Sequence, residues 1–275
     1  MLKSEFSLLI SVYVKEKPEY LEGCLQSVFQ STLLPSEVII VKDGPITEQL
    51  QAVLNKYCEL YDFIKIVSLE KNVGLGQALN EGMKYCNFKF VARMDTDDIC
   101  DKDRFKTQLQ IFMDNPEASL VGGFITEFID TPDNIVSTRK VPMDMESIKK
   151  YARKRNPVNH VTVMFKKNDI IEVGGYQKVK DVGYEDYDLW IRLIMSGKRI
   201  INVDKIFVNV RVGQDMYQRR GDKKRLKTAL YFRKKLWKIG YYSFFHYILY
   251  SCETIVFSCI PTCLRKKIYE KVLRK

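Results

Sequence analysis

Three carboxylates occupy four consecutive positions at Asp95-Thr96-Asp97-Asp98, with Arg93 two residues before them. Negative groups this close repel one another, so the cluster reads as a place for a cation or a cationic ligand. Oxygen ligands of this kind suit Mn2+ or Mg2+, which take one or two protein carboxylates and complete their shell with phosphate oxygens and water. A plainer use is local: Asp97 or Asp98 would cap a helix following Cys100. Asp43, in Val41-Lys42-Asp43-Gly44-Pro45, either accepts a hydrogen bond from a base or ribose or closes a turn. In Glu70-Lys71-Asn72-Val73-Gly74-Leu75-Gly76, glycines enter a helix beside a lysine, where backbone amides can approach phosphate oxygens. This is neither a G-x-G-x-x-G fingerprint nor a Walker A loop, which argues against a dehydrogenase and a P-loop NTPase.

Two further segments carry candidate chemistry. Gly183-Tyr184-Glu185-Asp186-Tyr187-Asp188-Leu189-Trp190 puts acids at a helix start, where they cap or where one serves as general base for an incoming hydroxyl. Arg211 and the Gln218-Arg219-Arg220-Gly221 run either clamp a diphosphate or an anionic acceptor or form a solvated loop. Only two histidines are present, His160 and His246, and neither has a clear Ser or Cys partner, which argues against triad hydrolysis.

Periodicity supplies the elements that position these residues. Residues 6–13, 37–42, 64–69 and 88–94 are apolar runs of the kind a buried parallel strand requires. Between them, apolar residues at helical spacing predict helices from Pro18, around 50–57 and around 75–83. Such alternation predicts a parallel sheet with helices on both faces, and ligands on these sheets bind beyond the strands' carboxyl ends. Asp43, Lys71 and Asp95 all follow strands there. Further on, 119–128, 161–165, 199–203 and 207–212 read as strands, 130–143 as loop, 184–196 as a helix and everything from 222 as helical.

Each signal is weak alone, but their order is specific. The chain resembles the family 2 glycosyltransferases of the GT-A fold over about residues 5–220. The resemblance rests on the first strand through Ser11-Val12-Tyr13, on Lys42-Asp43-Gly44, and on the run from Asn72 to Gly82. It continues through Ala92-Arg93-Met94-Asp95-Thr96-Asp97-Asp98, Gly174-Gly175-Tyr176 and Glu185 to Trp190. Asn159 to Phe165 and Val210 to Gly221 look like the bacterial branch that builds amylovoran-type exopolysaccharide, capsule and O-antigen.

The resemblance implies an α/β fold with one Rossmann-like, mostly parallel sheet, spanning 1–221. It implies that Ser11, Tyr13, Asp43, Lys71, Gly74, Arg93 and Asp95 hold the nucleotide of a nucleotide-sugar donor. It makes Asp95 and Asp97 the contacts to Mn2+ or Mg2+, Asp97 directly. Asp186 becomes the general base, with Glu185 the competing assignment. His160, Trp190, Arg219 and Arg220 are acceptor or diphosphate candidates. The implied reaction is inverting transfer of one sugar, from a donor such as a UDP-sugar, to a lipid-linked saccharide acceptor. The usual paired acids before glycine are here Lys42-Asp43, so the nucleotide assignment rests on Asp43 alone. Gln218-Arg219-Arg220 lacks the tryptophan of the polymerising synthases' Gln-x-x-Arg-Trp, which favours single-sugar addition.

Composition agrees with a globular enzyme: 46% hydrophobic, 29% charged, and seven cysteines in no disulfide or zinc spacing. The net charge of +11 is unevenly placed. Residues 211–275 hold 17 Lys and Arg against 4 Asp and Glu, whereas residues 1–210 hold 28 against 30. With an apolar, aromatic stretch at 241–264 flanked by basic clusters, the 222–275 tail predicts an in-plane anchor on an anionic membrane surface, or else a core helix. No signal peptide opens the chain, so the expected location is cytoplasmic, on the inner face of the membrane. No nucleic-acid reader motif accompanies the basic charge. The competing functions are a non-catalytic sugar-nucleotide or polysaccharide-binding subunit and a nucleotidyltransferase. The intact Asp95, Asp97 and Asp186 set argues against the first. The lack of a Gly-rich phosphate loop after the first strand argues against the second.

Overall fold

The computed structural model describes residues 5–179, 183–213 and 223–259. Continuous burial of the apolar runs makes the sheet. β1 (Phe6–Val12) pairs in parallel with β2 (Glu37–Lys42) and with β4 (Phe90–Met94), and β2 pairs in parallel with β3 (Ile64–Ser68). The connecting helices are α1 (Pro18–Phe29), α2 (Glu48–Leu60) and α3 (Leu75–Met83). Pro18 opens α1 where a missing N–H costs nothing, and Thr47 caps α2 by accepting from the Leu50 amide at 3.2 Å.

Beyond β4 the sheet becomes mixed. It continues through β8 (Met164–Lys166), β6 (Ala118–Phe128) and β9 (Arg199–Arg211) to the two-residue β5 (Ile99–Cys100), while β7 (Ile135–Arg139) pairs with β6. β8 is antiparallel to β4 and β6, and β6 is parallel to β9. The predicted strand at 161–165 is in fact a 3-10 turn (His160–Thr162) leading into β8, because Thr162 folds back to donate its hydroxyl to the Asn159 carbonyl at 2.8 Å. The two predicted strands at 199–212 are one, its irregularities absorbed as register shifts against β6. β7 lies within a segment read as loop, since it is exposed at its start and lacks an alternating pattern.

Two apolar cores cover the sheet. One joins α1, α2 and α4 (Arg104–Asp114) to one face; the other joins α3 and α7 (Glu185–Met195) to the opposite face. Two short helices, α5 (Met145–Tyr151) and α6 (Lys167–Glu172), were not legible as such. The C-terminal segment forms α8 (Lys223–Lys238) and α9 (Phe244–Cys259), and Phe232, Leu236, Tyr242 and Tyr250 from it enter the second core. No helix among the described residues is long and apolar enough to cross a membrane.

Candidate active site

Strand register builds the site's rim. Val12 aligns with Lys42, Lys42 with Ser68, and Ile10 with Met94, so the chain leaves β1, β2, β3 and β4 at a common edge. Ser11 and Tyr13, Asp43, Lys71 and Asp95 therefore emerge along one line. The Asp43 amide donates to the Val12 carbonyl at 2.8 Å, and the Leu69 amide to the Lys42 carbonyl at 3.0 Å, which extends the pairing to that edge.

Asp43 is buried and organises the adjacent loop. Its Oδ1 accepts from the Val73 amide at 2.7 Å; its Oδ2 accepts from Asn72 Nδ2 at 2.9 Å and the Gly74 amide at 3.1 Å. Gly44 permits this approach. Its φ is +85°, and a Cβ there would stand 2.7 Å from the Asn72 nitrogen. Lys71 lies exposed on the same loop, while Lys42 turns away to donate to Gln51 Oε1 at 2.8 Å.

At the end of β4, Arg93 is 1% exposed and grips Asp95 with both guanidinium nitrogens, Nη1 to Oδ2 at 2.7 Å and Nη2 to Oδ1. Asp98 is also buried, and its Oδ1 accepts from the Arg211 amide at 2.9 Å. Arg211 reaches back to the Asp97 carbonyl at 3.2 Å and stacks over Tyr20 and Phe128. Burial, then the charges of Asp95 and Glu16, push the Asp97 carboxyl up to about 7. Burial, then Asp97 and Asp95, hold Asp98 well above the usual carboxylate range.

The second pair of acids arrives from α7. Gly183 and Tyr184 enter that helix with φ of +74° and +92°. A left-handed tyrosine costs roughly 1–3 kcal/mol and is a conformation that clusters at functional sites. Asp186 accepts from Asn156 Nδ2 at 2.6 Å on Oδ2, and from the Tyr187 amide at 2.7 Å on Oδ1. Burial raises its pKa, while those two donors and the charges of Arg139 and Arg93 pull it back. Burial also raises Glu185. A Cβ on Gly76 would lie 3.3 Å from Tyr176 Cβ and 3.4 Å from Glu185 Cβ, so the start of α3 faces the start of α7. The Arg93 charge, which is paired directly with Asp95, also favours the ionised forms of Asp97, Glu185 and Asp186.

The structure thus brings together Asp43, Gly74, Arg93, Asp95, Asp97, Glu185 and Asp186 on one side of the sheet. His160 is a partial correction. Its Nε2 lies 2.8 Å from the Tyr176 hydroxyl, and burial followed by the Arg93 charge pushes the imidazole well below its ordinary range. It is a neutral imidazole packed against Tyr176 and Trp190 rather than an anion clamp. Trp190 is a full correction: it is 0% exposed, packed edge-on to His160, and cannot meet an acceptor. Arg219 and Arg220 lie outside the described residues. Sequence reasoning missed Asn156, Glu16 and Asn80. Asn80 holds both the amide and the carbonyl of Tyr176, at 2.8 and 2.7 Å. Their signal is tertiary: Asn156 is 30 residues from Asp186, and Asn80 is 96 from Tyr176.

Comparison with known proteins agrees with this geometry. The model for glycosyl transferase family 2 matches residues 7–179. The chain is 37% identical over 266 residues to the amylovoran biosynthesis glycosyltransferase AmsE of Erwinia amylovora, covering 97% of this chain and 98% of the relative. It is 35% identical over 271 residues to the UDP-Gal:alpha-D-GlcNAc-diphosphoundecaprenol beta-1,3-galactosyltransferase of Escherichia coli, covering 98% and 97%. Among solved structures, S. aureus TarS 1-349 with UDP-GlcNAc superposes with a TM-score of 0.64 at 19% identity, over 98% of this chain and 75% of that one. The Pyrobaculum calidifontis mannosyltransferase PcManGT, with GDP-Man and Mn2+, gives 0.66 at 14% identity, over the same shares. With its GT-A-like sheet and its carboxylates on the common rim, the chain belongs to glycosyl transferase family 2 and is a glycosyltransferase.

Proposed function

We propose that the enzyme moves one sugar from a UDP-sugar to a hydroxyl of a lipid-linked saccharide, with inversion, during synthesis of a cell-surface polysaccharide. The observation that carries this reading is the placement of two carboxylate pairs at one rim: Asp95, gripped by buried Arg93, stands with Asp97 at the end of β4, and the start of α7 that bears Glu185 and Asp186 faces the start of α3 at Gly76. The similarity to bacterial enzymes whose names state amylovoran synthesis and transfer from UDP-Gal to a diphosphoundecaprenol acceptor supports the substrate classes.

In this reading the Asp43-held loop, with Lys71 and Gly74, receives the nucleotide, together with Ser11 and Tyr13. Asp186 accepts the proton of the acceptor hydroxyl. That oxygen bonds to the anomeric carbon as the carbon–oxygen bond to the diphosphate breaks on the opposite side. The diphosphate leaves with the electron pair, and the anomeric configuration inverts. Holding donor and acceptor together contributes on the order of 7–11 kcal/mol towards the barrier.

The residues at the end of β4 fit a divalent cation. Burial and then the charges of Asp95 and Glu16 push the Asp97 carboxyl up to about 7, and a bound cation would offset both effects. Asp97 would hold the ion and Asp95 would lie beside it. Among the described residues no group of three acids, histidines or cysteines is placed to hold a metal ion; such an ion would take Asp97 and Asp95 as its protein ligands and complete its shell with phosphate and water. When bound, Mn2+ or Mg2+ would supply charge stabilisation to the diphosphate leaving group.

The C-terminal helices provide a peripheral attachment. α9 exposes Phe244, Phe245, Ile248, Leu249, Ile255 and Val256, with Phe245 72% exposed. An apolar face of this kind beside a basic segment suits an in-plane position on an anionic bilayer. The test is UDP release and product formation with a panel of nucleotide sugars, with and without Mn2+. Asp97→Asn and Asp186→Asn are each expected to abolish transfer; near-normal turnover by either removes that residue's role. Paired flotation with phosphatidylglycerol vesicles checks the attachment, which Phe245→Asp should weaken.

A further inference from the structure

α8 is packed against the very helix that carries the acids. Asp188, in the first turn of α7, has a fully buried side chain. Its Oδ2 accepts from Arg192 Nε at 2.9 Å, and its Oδ1 meets Lys235 Nζ of α8 at 2.5 Å. Arg192 also donates to the carbonyls of Val173 and Gly175, the second at 2.6 Å, and so fixes the turn that presents Tyr176. Buried Phe232 of α8 sets its ring 4.8 Å from Tyr184 and 5.0 Å from Tyr187. Tyr184 is the left-handed residue immediately before Glu185 and Asp186. Such a conformation persists only where its surroundings over-determine it.

The same helix reaches the other side of Asp186. Arg233 donates to the carbonyls of Arg153 and Lys154, each at 3.0 Å, and Tyr242 donates its hydroxyl to the Arg153 carbonyl. Two residues further along stands Asn156, whose amide holds Asp186. α8 therefore grips both the helix that bears Asp186 and the segment that hydrogen-bonds it.

We infer that the C-terminal helices are a working part of the transferase site: Phe232, Arg233 and Lys235 are positioning residues that brace the Glu185–Asp186 turn. The inference rests on the reading of that turn as the seat of the general base. Its consequence is that removing the brace lowers turnover more than donor binding, because the nucleotide loop of residues 71–74 is held separately by Asp43.

The experiment uses the full chain and the Lys235→Met variant, in which Asp188 keeps Arg192 as partner and no buried charge is left alone. Lys235→Arg tests rescue. Lys234→Met, one residue away on the exposed side of α8, removes the same charge from the surface and controls for membrane and solubility effects. The expected result for Lys235→Met is a kcat lower by about tenfold, with the donor KM changed by less than about twofold. Amide hydrogen exchange over residues 183–190 should quicken by about tenfold in the same variant. With turnover measured on a water-soluble acceptor, Lys235→Arg should restore most of both, and Lys234→Met should change neither. Unchanged exchange over 183–190 in Lys235→Met overturns the inference, as does an equal kcat loss in Lys234→Met. If Lys235→Met proves unfolded by circular dichroism, Phe232→Leu is measured the same way, with the same two outcomes. If the unaltered chain transfers no sugar from any nucleotide sugar, the transferase reading fails, and the exchange comparison still decides whether the brace exists.

Discussion

Asn156→Ala isolates the hydrogen bond that tunes the proposed base. The Asn156 side chain has a defined orientation: its Oδ1 accepts from the Val158 amide at 3.3 Å, which leaves Nδ2 to face Asp186 Oδ2 at 2.6 Å. Arg139 fixes the backbone by donating to the Asn156 carbonyl at 3.0 Å. A hydrogen bond to a charged group contributes roughly 1.5–3 kcal/mol, and it favours the ionised carboxylate. Losing the bond therefore removes a contribution of that size to the ionised form and raises the Asp186 pKa. The sign follows directly. A base of higher pKa is protonated over a wider acidic range, so the acid limb of the kcat–pH profile moves to higher pH. At alkaline pH the carboxylate is ionised in both proteins, and kcat should recover to within a fewfold of the original. The assay is initial-rate UDP release under saturating donor and acceptor between pH 5 and 9, with a buffer series of constant ionic strength. Asn156→Asp, which sets a second negative charge at the same place, should move the limb further in the same direction. Superimposable profiles for Asn156→Ala and the original enzyme would refute the assignment of Asp186 as base. In that event Glu185→Gln is the variant that should abolish transfer, since Glu185 receives no hydrogen bond from Asn156.

Gly44→Ala should displace the nucleotide loop, because its Cβ would fall 2.7 Å from the Asn72 nitrogen and 3.0 Å from the Lys71 carbonyl carbon; overpacking of this kind costs about 1–3 kcal/mol, read by urea denaturation, with UDP affinity by calorimetry falling alongside. His160, held well below its usual 6.5, contributes stability that is complete above that value and is lost as pH falls towards its depressed folded pKa. The original protein should therefore lose up to about 1.4 kcal/mol more per pH unit than His160→Gln below pH 6.5, a difference measured by urea unfolding at pH 7.5, 6.0 and 5.0. Trp190→Phe should cost about 1–3 kcal/mol of stability through a partly filled cavity while leaving the acceptor KM within about twofold. A large rise in that KM would restore Trp190 as an acceptor contact.

The parallel half of the fold was legible because its information is local. Residues 6–13 and 37–42 are apolar almost throughout, and at this short length such runs suit a strand buried on both faces. Register then carries Asp43, Lys71 and Asp95 to one edge with no further information. The mixed half was less legible, since β7 is partly exposed and the 3-10 turn before β8 is set by Thr162 and Asn159 rather than by hydropathy. Among site residues, the acids were found by clustering in sequence. Asn156 and Asn80 were not, because an asparagine announces its partner only when the chain has folded. Trp190 was misplaced for the converse reason. The resemblance made it an acceptor or diphosphate candidate, yet its position five residues after Glu185 carries it round α7 into the core.

The charge of the last quarter of the chain has two destinations, and this alters what it implies. Counting residues treats every lysine and arginine of the tail as available to an anionic surface, where each contributes about 1 kcal/mol. Among the described residues the structure divides them. Lys235 is turned inward onto Asp188, and Arg233 onto the carbonyls of Arg153 and Lys154, so their charge is engaged within the protein. Lys234 and Lys238 on the same helix remain exposed, and Trp237 stacks with Tyr247 of α9. Attraction to a bilayer therefore falls to the outward cations together with the exposed aromatics, and it should be screened by salt, whereas the buried Lys235–Asp188 pair should not. The two contributions separate in one titration. If salt detaches the enzyme from vesicles while turnover on a water-soluble acceptor persists, the outward charge is an address and the inward charge is structure. If both fall together, attachment and catalysis share the same cations, and the division drawn from the side-chain positions is wrong.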